Sequence, residues 1–250
     1  MQDSDFQRFS VILPTFNEAE NIEKMASTLL RLYPGIRILV MDDNSKDDTI
    51  AICRELEKTI PEFKIVVRDP KDKGLTASAM EGIVRSETEF YIVMDSDFQH
   101  PPKILKSIME SLLDGSDMVI GKRSKKDALT IGRRFSSDVA QCIAAFYLTF
   151  IGQPRSKDIM SGLFGGRVEP CRNVINENND EFERVGFKIL FDLLKFIDPK
   201  SKISEVEYEF GSRAGGESKI NSTIIVSVLR QCGTFGKGCA SIADVVLSKK

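Results

Sequence analysis

Five short apolar runs, Phe9–Leu13, Arg37–Met41, Lys64–Val67, Phe90–Met94 and Met118–Ile120, are separated by four segments of helical period: Asn17–Leu32, Thr49–Lys58, Leu75–Arg85 and Ile104–Leu113. Alternation of this kind predicts an α/β fold with a mostly parallel sheet and helices on both faces, because parallel neighbours need a crossover that covers the sheet. In such open sheets a ligand lies beyond the carboxyl ends of the strands, where the strand order reverses. Five polar clusters each follow a predicted strand: Pro14–Glu18, Asp42–Ser45, Asp69–Gly74, Asp95–Asp97 and Lys122–Arg123. All five should therefore meet at one edge.

The chemistry concentrates in Met94-Asp95-Ser96-Asp97-Phe98-Gln99-His100-Pro101-Pro102. Residues i and i+2 of an extended chain share a face, so Asp95, Asp97 and Gln99 point together if the strand runs on past Met94. Two carboxylates and an amide carbonyl are hard oxygen donors suited to Mg²⁺ or Mn²⁺, with coordination positions left for substrate phosphates. Pro101-Pro102 stops the strand and can open a helix. His100, the only histidine, is read as a local structural residue and kept out of the metal set.

The 250 residues, 42% hydrophobic and 29% charged, suffice for a large core. A net charge of −2 gives no field that would recruit nucleic acid. Five scattered cysteines without a C-x-x-C pair argue against a disulfide framework or a zinc site and for a reducing compartment. The polar, acidic N-terminus does not read as a signal peptide. Val139–Ile151, the longest apolar stretch, is shorter than the roughly 20 residues a spanning helix needs.

Residues 122–134 carry six basic side chains against Asp127 alone, which suits a phosphate or an anionic membrane surface. Arg133 and Ser137 share a face if a helix starts nearby. That helix, through Ile151, has few charges and reads as core or as a wall for something greasy. Beyond Ser156 the alternation lapses: Ile159–Gly166 mixes apolar residues with glycine, Phe187–Phe196 reads as helix, and Ile203–Phe210 suggests a small antiparallel addition. Residues 211–219 form a turn-rich candidate lid with Arg213 and Lys219, and 221–230 an amphipathic helix.

Together, Pro14-Thr15-Phe16-Asn17-Glu18, Asp42-Asp43-Asn44-Ser45 with Asp48-Thr49, Lys73-Gly74-Leu75, the Asp95–Pro102 stretch, Arg123, Ser161-Gly162 and Arg213 with Ser218-Lys219 resemble the family-two glycosyltransferases of GT-A fold. The chain is similar to the branch of dolichol-phosphate mannosyltransferases and other polyprenyl-phosphate glycosyltransferases. The resemblance implies a catalytic domain over 1–230, a tail over 231–250 that starts or remains from a membrane-associated segment, and inverting transfer of a hexose to a polyprenyl or dolichyl phosphate. GDP-mannose is the first donor to test and UDP-glucose the second.

By the same resemblance Pro14, Phe16, Glu18, Met41 and Asp43 hold base and ribose, and Asp95, Ser96 and Asp97 sit beside the diphosphate. Asp95, Asp97 and Gln99 carry the metal, Mg²⁺ or Mn²⁺. Arg123, Arg213 and Lys219 bind donor phosphates, with Asp97, Arg213 and Lys219 the catalytic set, and Arg133 with Ser137 takes the acceptor phosphate. The expected location is cytoplasmic, peripheral on the cytoplasmic face of a membrane, with a membrane-anchoring partner subunit as a further expectation. Phe16 replaces a usual tyrosine, Ser96 a usual alanine, and Lys122-Arg123-Ser124 a usual serine-arginine-tyrosine. The absence of tryptophan argues against a processive synthase, and the late position of the D-x-D against a phosphatase. A non-catalytic nucleotide- or lipid-binding adaptor is the remaining alternative.

Overall fold

The computed structural model describes residues 1–124, 131–184, 188–211, 228–229 and 231–232, with the backbone alone for 131–138. Its strands are β1 (Phe9–Thr15), β2 (Arg37–Asp42), β3 (Phe63–Val67), β4 (Phe90–Val93), β5 (Met118–Arg123), β6 (Phe164–Arg167) and β7 (Ile203–Tyr208). The helices are α1 (Asp3–Phe6), α2 (Ile22–Leu32), α3 (Thr49–Thr59), α4 (Leu75–Arg85), α5 (Leu105–Leu113), α6 (Ile131–Phe150), α7 (Val168–Glu177) and α8 (Ile189–Phe196). The strands form one sheet in the order β3-β2-β1-β4-β6-β5-β7. β1 pairs in parallel with both β2 and β4, so the order reverses between β1 and β4. That is where the switch-point rule places a ligand.

Strand side chains alternate between two cores. Ile12, Met41, Tyr91, Val93, Ile120 and Phe164 face the core that contains α4, α6, α7 and α8. Val11, Leu13, Val40, Phe90, Ile92 and Val119 face the core made with α1, α2, α3 and α5. Both faces are covered, as the near-continuous apolar runs predicted.

The antiparallel part differs from its expected place. It is β6, inserted inside the sheet between β4 and β5, whereas the Ile203–Tyr208 strand joins β5 in parallel. The cause is the glycine pair read from sequence only as an irregular stretch. A Cβ on Gly165 would stand 2.7 Å from the Tyr91 carbonyl oxygen, and one on Gly166 3.1 Å from the Tyr91 hydroxyl, so only glycine lets β6 lie this close to β4. Because β6 runs backwards, Ser161-Gly162 just before it arrives at the carboxyl edge of its neighbours. β1 also extends past the expected stop to Thr15, since proline without an N–H is tolerated where no ladder donor is required. Gln231 and Cys232, which sequence placed in the tail, are buried beside α8.

Gly165→Val is expected to destabilise the fold by about 2 kcal/mol or more, because a backbone carbonyl cannot move aside as a side chain would. Urea unfolding of the purified variant measures this.

Candidate functional site

The loops after β1 and β2 are laced together by their polar residues. Asn17 N–H donates to Ser45 Oγ (2.8 Å), Lys46 N–H to Asn17 Oδ1 (2.8 Å), and Glu18 N–H to Thr49 Oγ1 (2.8 Å). Ser45 in turn donates through N–H and Oγ to the buried Asp42 carboxylate at 2.8 and 2.6 Å. Asn17 and Asn44 adopt positive φ, at 57° and 63°, a conformation asparagine tolerates better than most residues. Much of P-T-F-N-E and D-D-N-S is therefore a scaffold. What it presents to solvent is Phe16, 40% exposed, together with the half-buried Glu18.

Two of the residues expected to hold the nucleotide are buried side by side at the ends of β1 and β2. Met41 is fully buried in the core under α4, and Pro14 is buried within β1, so neither side chain is open to solvent. Asp43 is also largely engaged by the protein. Its Oδ1 accepts from Arg68 (2.5 Å) and Ser78 Oγ (2.7 Å), and its Oδ2 from Gly74 N–H (2.9 Å), three of roughly four acceptor positions. Asp43 is 7% exposed and is spent mainly on tying the loop after β2 to Arg68 and to the start of α4.

Arg68 was not singled out from sequence, because nothing in Val67-Arg68-Asp69 marks it. It is 3% exposed and also donates to Glu81 (2.9 Å) and Asp72 (3.0 Å). Burial works to lower its pKa, but the bonds to Glu81 and Asp43 win and hold it up. Arg184 reaches the same Asp72 at 2.7 Å. A Cβ on Gly74, at φ 140°, would meet the Arg184 carbonyl at 2.5 Å. K-G-L is thus a close backbone contact.

Across the switch point, β4 ends at Val93 and the chain turns instead of continuing extended. This corrects the expected i, i+2 alternation. Asp97 is buried and its Oδ1 accepts from Gln99 N–H (3.0 Å); the Gln99 amide nitrogen faces the Gly211 carbonyl (3.4 Å). Asp95 is the more open carboxylate, with its side chain 40% exposed. Its Oδ2 lies 3.2 Å from His100 Nε2, and His100 Nδ1 lies 2.8 Å from the Tyr208 hydroxyl. Ser96 is buried in the same loop. Gly162 packs against the same loop: a Cβ there would stand 3.3 Å from His100 Nε2 and 3.5 Å from Asp95 Oδ2.

Arg123 reaches this edge from β5 and donates through Nε and Nη2 to both oxygens of Asp158, each at 2.8 Å. Asp158 is a partner that sequence reading missed. The side chains of Arg133 and Ser137 lie outside the described residues, although both positions fall on α6. Arg213 and Lys219 also lie outside them.

Among the described residues no three His, Cys, Asp or Glu side chains gather as a metal cage. The donor set at Asp95 and Asp97 nevertheless fits a hard cation that takes its other ligands from a diphosphate and water. At the opposite edge, hollows of about 460 and 470 Å³ are lined by charged residues that pair with one another, such as Arg37 with Glu87 and Arg167 with Glu89. The D-x-D residues line neither.

The sequence pattern described as Glycosyl transferase family 2 matches residues 10–175. Among curated relatives, a Dolichol-phosphate mannosyltransferase of Pyrococcus furiosus is 35% identical over 229 residues, covering 89% of this chain and 62% of that protein. One of Saccharomyces cerevisiae is 30% identical over 240 residues, covering 89% and 85%. The chain thus spans about three fifths of the archaeal relative. Among solved structures, mannosyl-3-phosphoglycerate synthase from Rubrobacter xylanophilus superposes with a TM-score of 0.62 at 15% identity, covering 92% of this chain and 76% of that one. Glucosyl-3-phosphoglycerate synthase from Mycobacterium tuberculosis, in complex with Mn²⁺, UDP and glucosyl-3-phosphoglycerate, gives 0.61 at 19%, covering 93% and 85%. At these identities the likeness concerns the fold, which is the GT-A fold.

Lys188 is buried where its N–H donates to Thr76 Oγ1 in the first turn of α4 (3.3 Å). Burial pulls its ammonium from the ordinary 10.5 down to about 8, against the opposing pull of Glu183 and Asp192. The unfolded chain then binds more protons between those two values, so this group makes stability rise with pH across that window, and its penalty is fully present below it. Urea unfolding from pH 7.5 to 10.5 is expected to show that rise in the native chain and a flatter profile in Lys188→Met.

Proposed function

The chain belongs to glycosyl transferase family 2, and from that premise we propose that it transfers mannose from GDP-mannose to the phosphate of a dolichyl or polyprenyl phosphate, with inversion. The observation that carries the reading is the position of Asp95 and Asp97 in the loop that leaves β4, at the β1/β4 switch point and at the same carboxyl edge of the sheet as the laced loops that present Phe16. Identity to dolichol-phosphate mannosyltransferases over most of the chain supports the choice of substrates.

Phe16 offers a ring on which a base can stack, with Glu18 and Asp43 assigned beside it. Asp95 and Asp97, with Gln99, would hold Mg²⁺ or Mn²⁺, which when bound supplies charge stabilisation to the departing diphosphate. Arg123, Arg213 and Lys219 are assigned to donor phosphates, and Arg133 with Ser137 to the acceptor phosphate. A phosphate monoester has its second pKa near 6, so the acceptor is mostly a dianion at neutral pH. No residue need act as general base. An acceptor oxygen forms the new bond to the anomeric carbon while the bond to the nucleoside diphosphate breaks, and the leaving group takes the electron pair. The protein's task is alignment and charge stabilisation.

The acceptor's hydrocarbon chain places the reaction at a membrane, and α6 supplies a surface for it. Ala140, Ala144 and Leu148 face the core, whereas Cys142, Phe146 and Phe150 are exposed on the other side, the two phenylalanines by 75% and 80%. Residues 139–157 contain no acidic side chain, and Arg155 and Lys157 at the end of the stripe are exposed. An apolar stripe with a cationic rim suits the interface of an anionic bilayer. Among the described residues no helix is long and apolar enough to cross a membrane. Peripheral attachment on the cytoplasmic face, directly or with an anchoring subunit, is the corresponding proposal.

GDP release from GDP-mannose is expected to require both Mg²⁺ or Mn²⁺ and a polyprenyl phosphate, and to vanish in Asp97→Ala. UDP release from UDP-glucose instead would reassign the donor; nucleotide binding without release from either would move the chain to the adaptor class. In vesicle sedimentation, replacing Phe146 and Phe150 together by serine should weaken binding to anionic vesicles by about tenfold or more. Unchanged binding would remove α6 from the membrane contact.

A further inference from the structure

The loop that carries Asp95 has left the sheet, so no ladder hydrogen bond sets the direction of its carboxylate. Among the described residues the side chain that bonds Asp95 is His100, at 3.2 Å from Nε2 to Oδ2. His100 is 1% exposed, and its other nitrogen meets the Tyr208 hydroxyl at 2.8 Å. Tyr208 is the last residue of β7, more than a hundred residues away in sequence. Phe210 closes the ring from its edge at 5.3 Å, and Gly211 N–H donates to the Gln99 carbonyl at 2.9 Å. The D-x-D loop is thereby zipped to the chain leaving β7.

The proton positions follow from the chemistry of the partners. An ionised carboxylate only accepts, so the ring hydrogen belongs on Nε2. In that tautomer Nδ1 is an acceptor, and the Tyr208 hydroxyl at 2.8 Å is its donor. Burial pushes the Tyr208 phenol well above its ordinary pKa, so that hydrogen stays in place. Carboxylates that bind a metal are commonly held in place by outer hydrogen bonds of this kind, and loss of one typically costs about 10–100-fold in metal affinity or activity.

We propose that Tyr208 and His100 are positioning residues that aim Asp95: Tyr208 fixes the tautomer and orientation of His100, and His100 Nε2–H holds Oδ2 and so sets the direction of the carboxylate that would bind the cation. The proposal rests on the reading of Asp95 and Asp97 as the cation site. It makes the edge strand β7 part of the apparatus that assembles the site around the D-x-D.

The test is Mn²⁺ titration of the full chain in saturating GDP, and in parallel saturating UDP, read by calorimetry and by the electron paramagnetic resonance of free Mn²⁺. Three variants accompany the native chain. Tyr208→Phe removes the hydroxyl. His100→Gln places an amide N–H near the position of Nε2, whereas His100→Asn places its amide near Nδ1 and leaves Asp95 without a donor. Tyr208→Phe and His100→Asn should weaken Mn²⁺ binding by about tenfold or more, while His100→Gln stays within about threefold of native. Metal-free nucleotide affinity should be unchanged across the set, and because each substitution removes a bond between buried groups the two histidine variants should lose melting temperature alike. A purely structural role would not separate the two histidine variants in this way. Native Mn²⁺ affinity in Tyr208→Phe and His100→Asn, or equal losses in His100→Gln and His100→Asn, would overturn the positioning role. If the native chain binds no Mn²⁺ with either nucleotide, the cation site itself is refuted and the proposal falls with it.

Discussion

A guanidinium removed from water has to be met on every side, and Arg68 is the group on which the candidate site is assembled. Its partners Asp43, Ser78, Glu81 and Asp72 come from the end of β2, from α4 and from the loop that enters α4. Asp72 passes the interaction on to Arg184. Charges buried in this way are stabilising only if all stay paired. The network therefore specifies one arrangement of the loops that carry Asp43, Asp72 and Arg184.

Backbone strain gathers at the same edge. The positive-φ residues other than glycine among the described residues are Asn17, Asn44 and Phe98, and they follow β1, β2 and β4, the strands around the switch point. A left-handed phenylalanine has no local compensation of the kind asparagine finds, and costs about 1–2 kcal/mol. The turn at Phe98 is held by Asp97 accepting from Gln99 N–H and by Gln99 pairing with Gly211. Strain of this sort persists where the surrounding structure over-determines it, which is common at binding sites.

A second buried charge cluster lies beside α8. Lys195 Nζ is 2.7 Å from Asp192 Oδ1 and donates to the Gln231 carbonyl, while the Gln231 amide donates to Asp192 Oδ2 at 2.7 Å. Burial raises the Asp192 pKa, opposed by Lys195 and Gln231. Gln231 and Cys232 are thus held to the catalytic fold, and this packing runs across residue 230, where the resemblance ends. Composition reports hydrophobicity along the chain and carries no information about which distant carboxylate a glutamine will meet.

Periodicity and strand-end chemistry determined a good deal without coordinates. The five strands up to Ile120 and the helices between them followed from local apolar spacing, and the convergence of Pro14–Glu18, Asp42–Ser45 and Asp95–Asp97 followed from the geometry of parallel sheets. The position of β6 did not, because antiparallel insertion between β4 and β5 depends on how closely Gly165 and Gly166 let two backbones approach, a property of the assembled sheet. Nor did Met41 turning into the core, Arg68 and Asp158 capturing Asp43 and Arg123, or Tyr208 reaching His100. Each is a contact between residues far apart in sequence, and its energy exists only once the fold has brought the partners together and excluded water from between them.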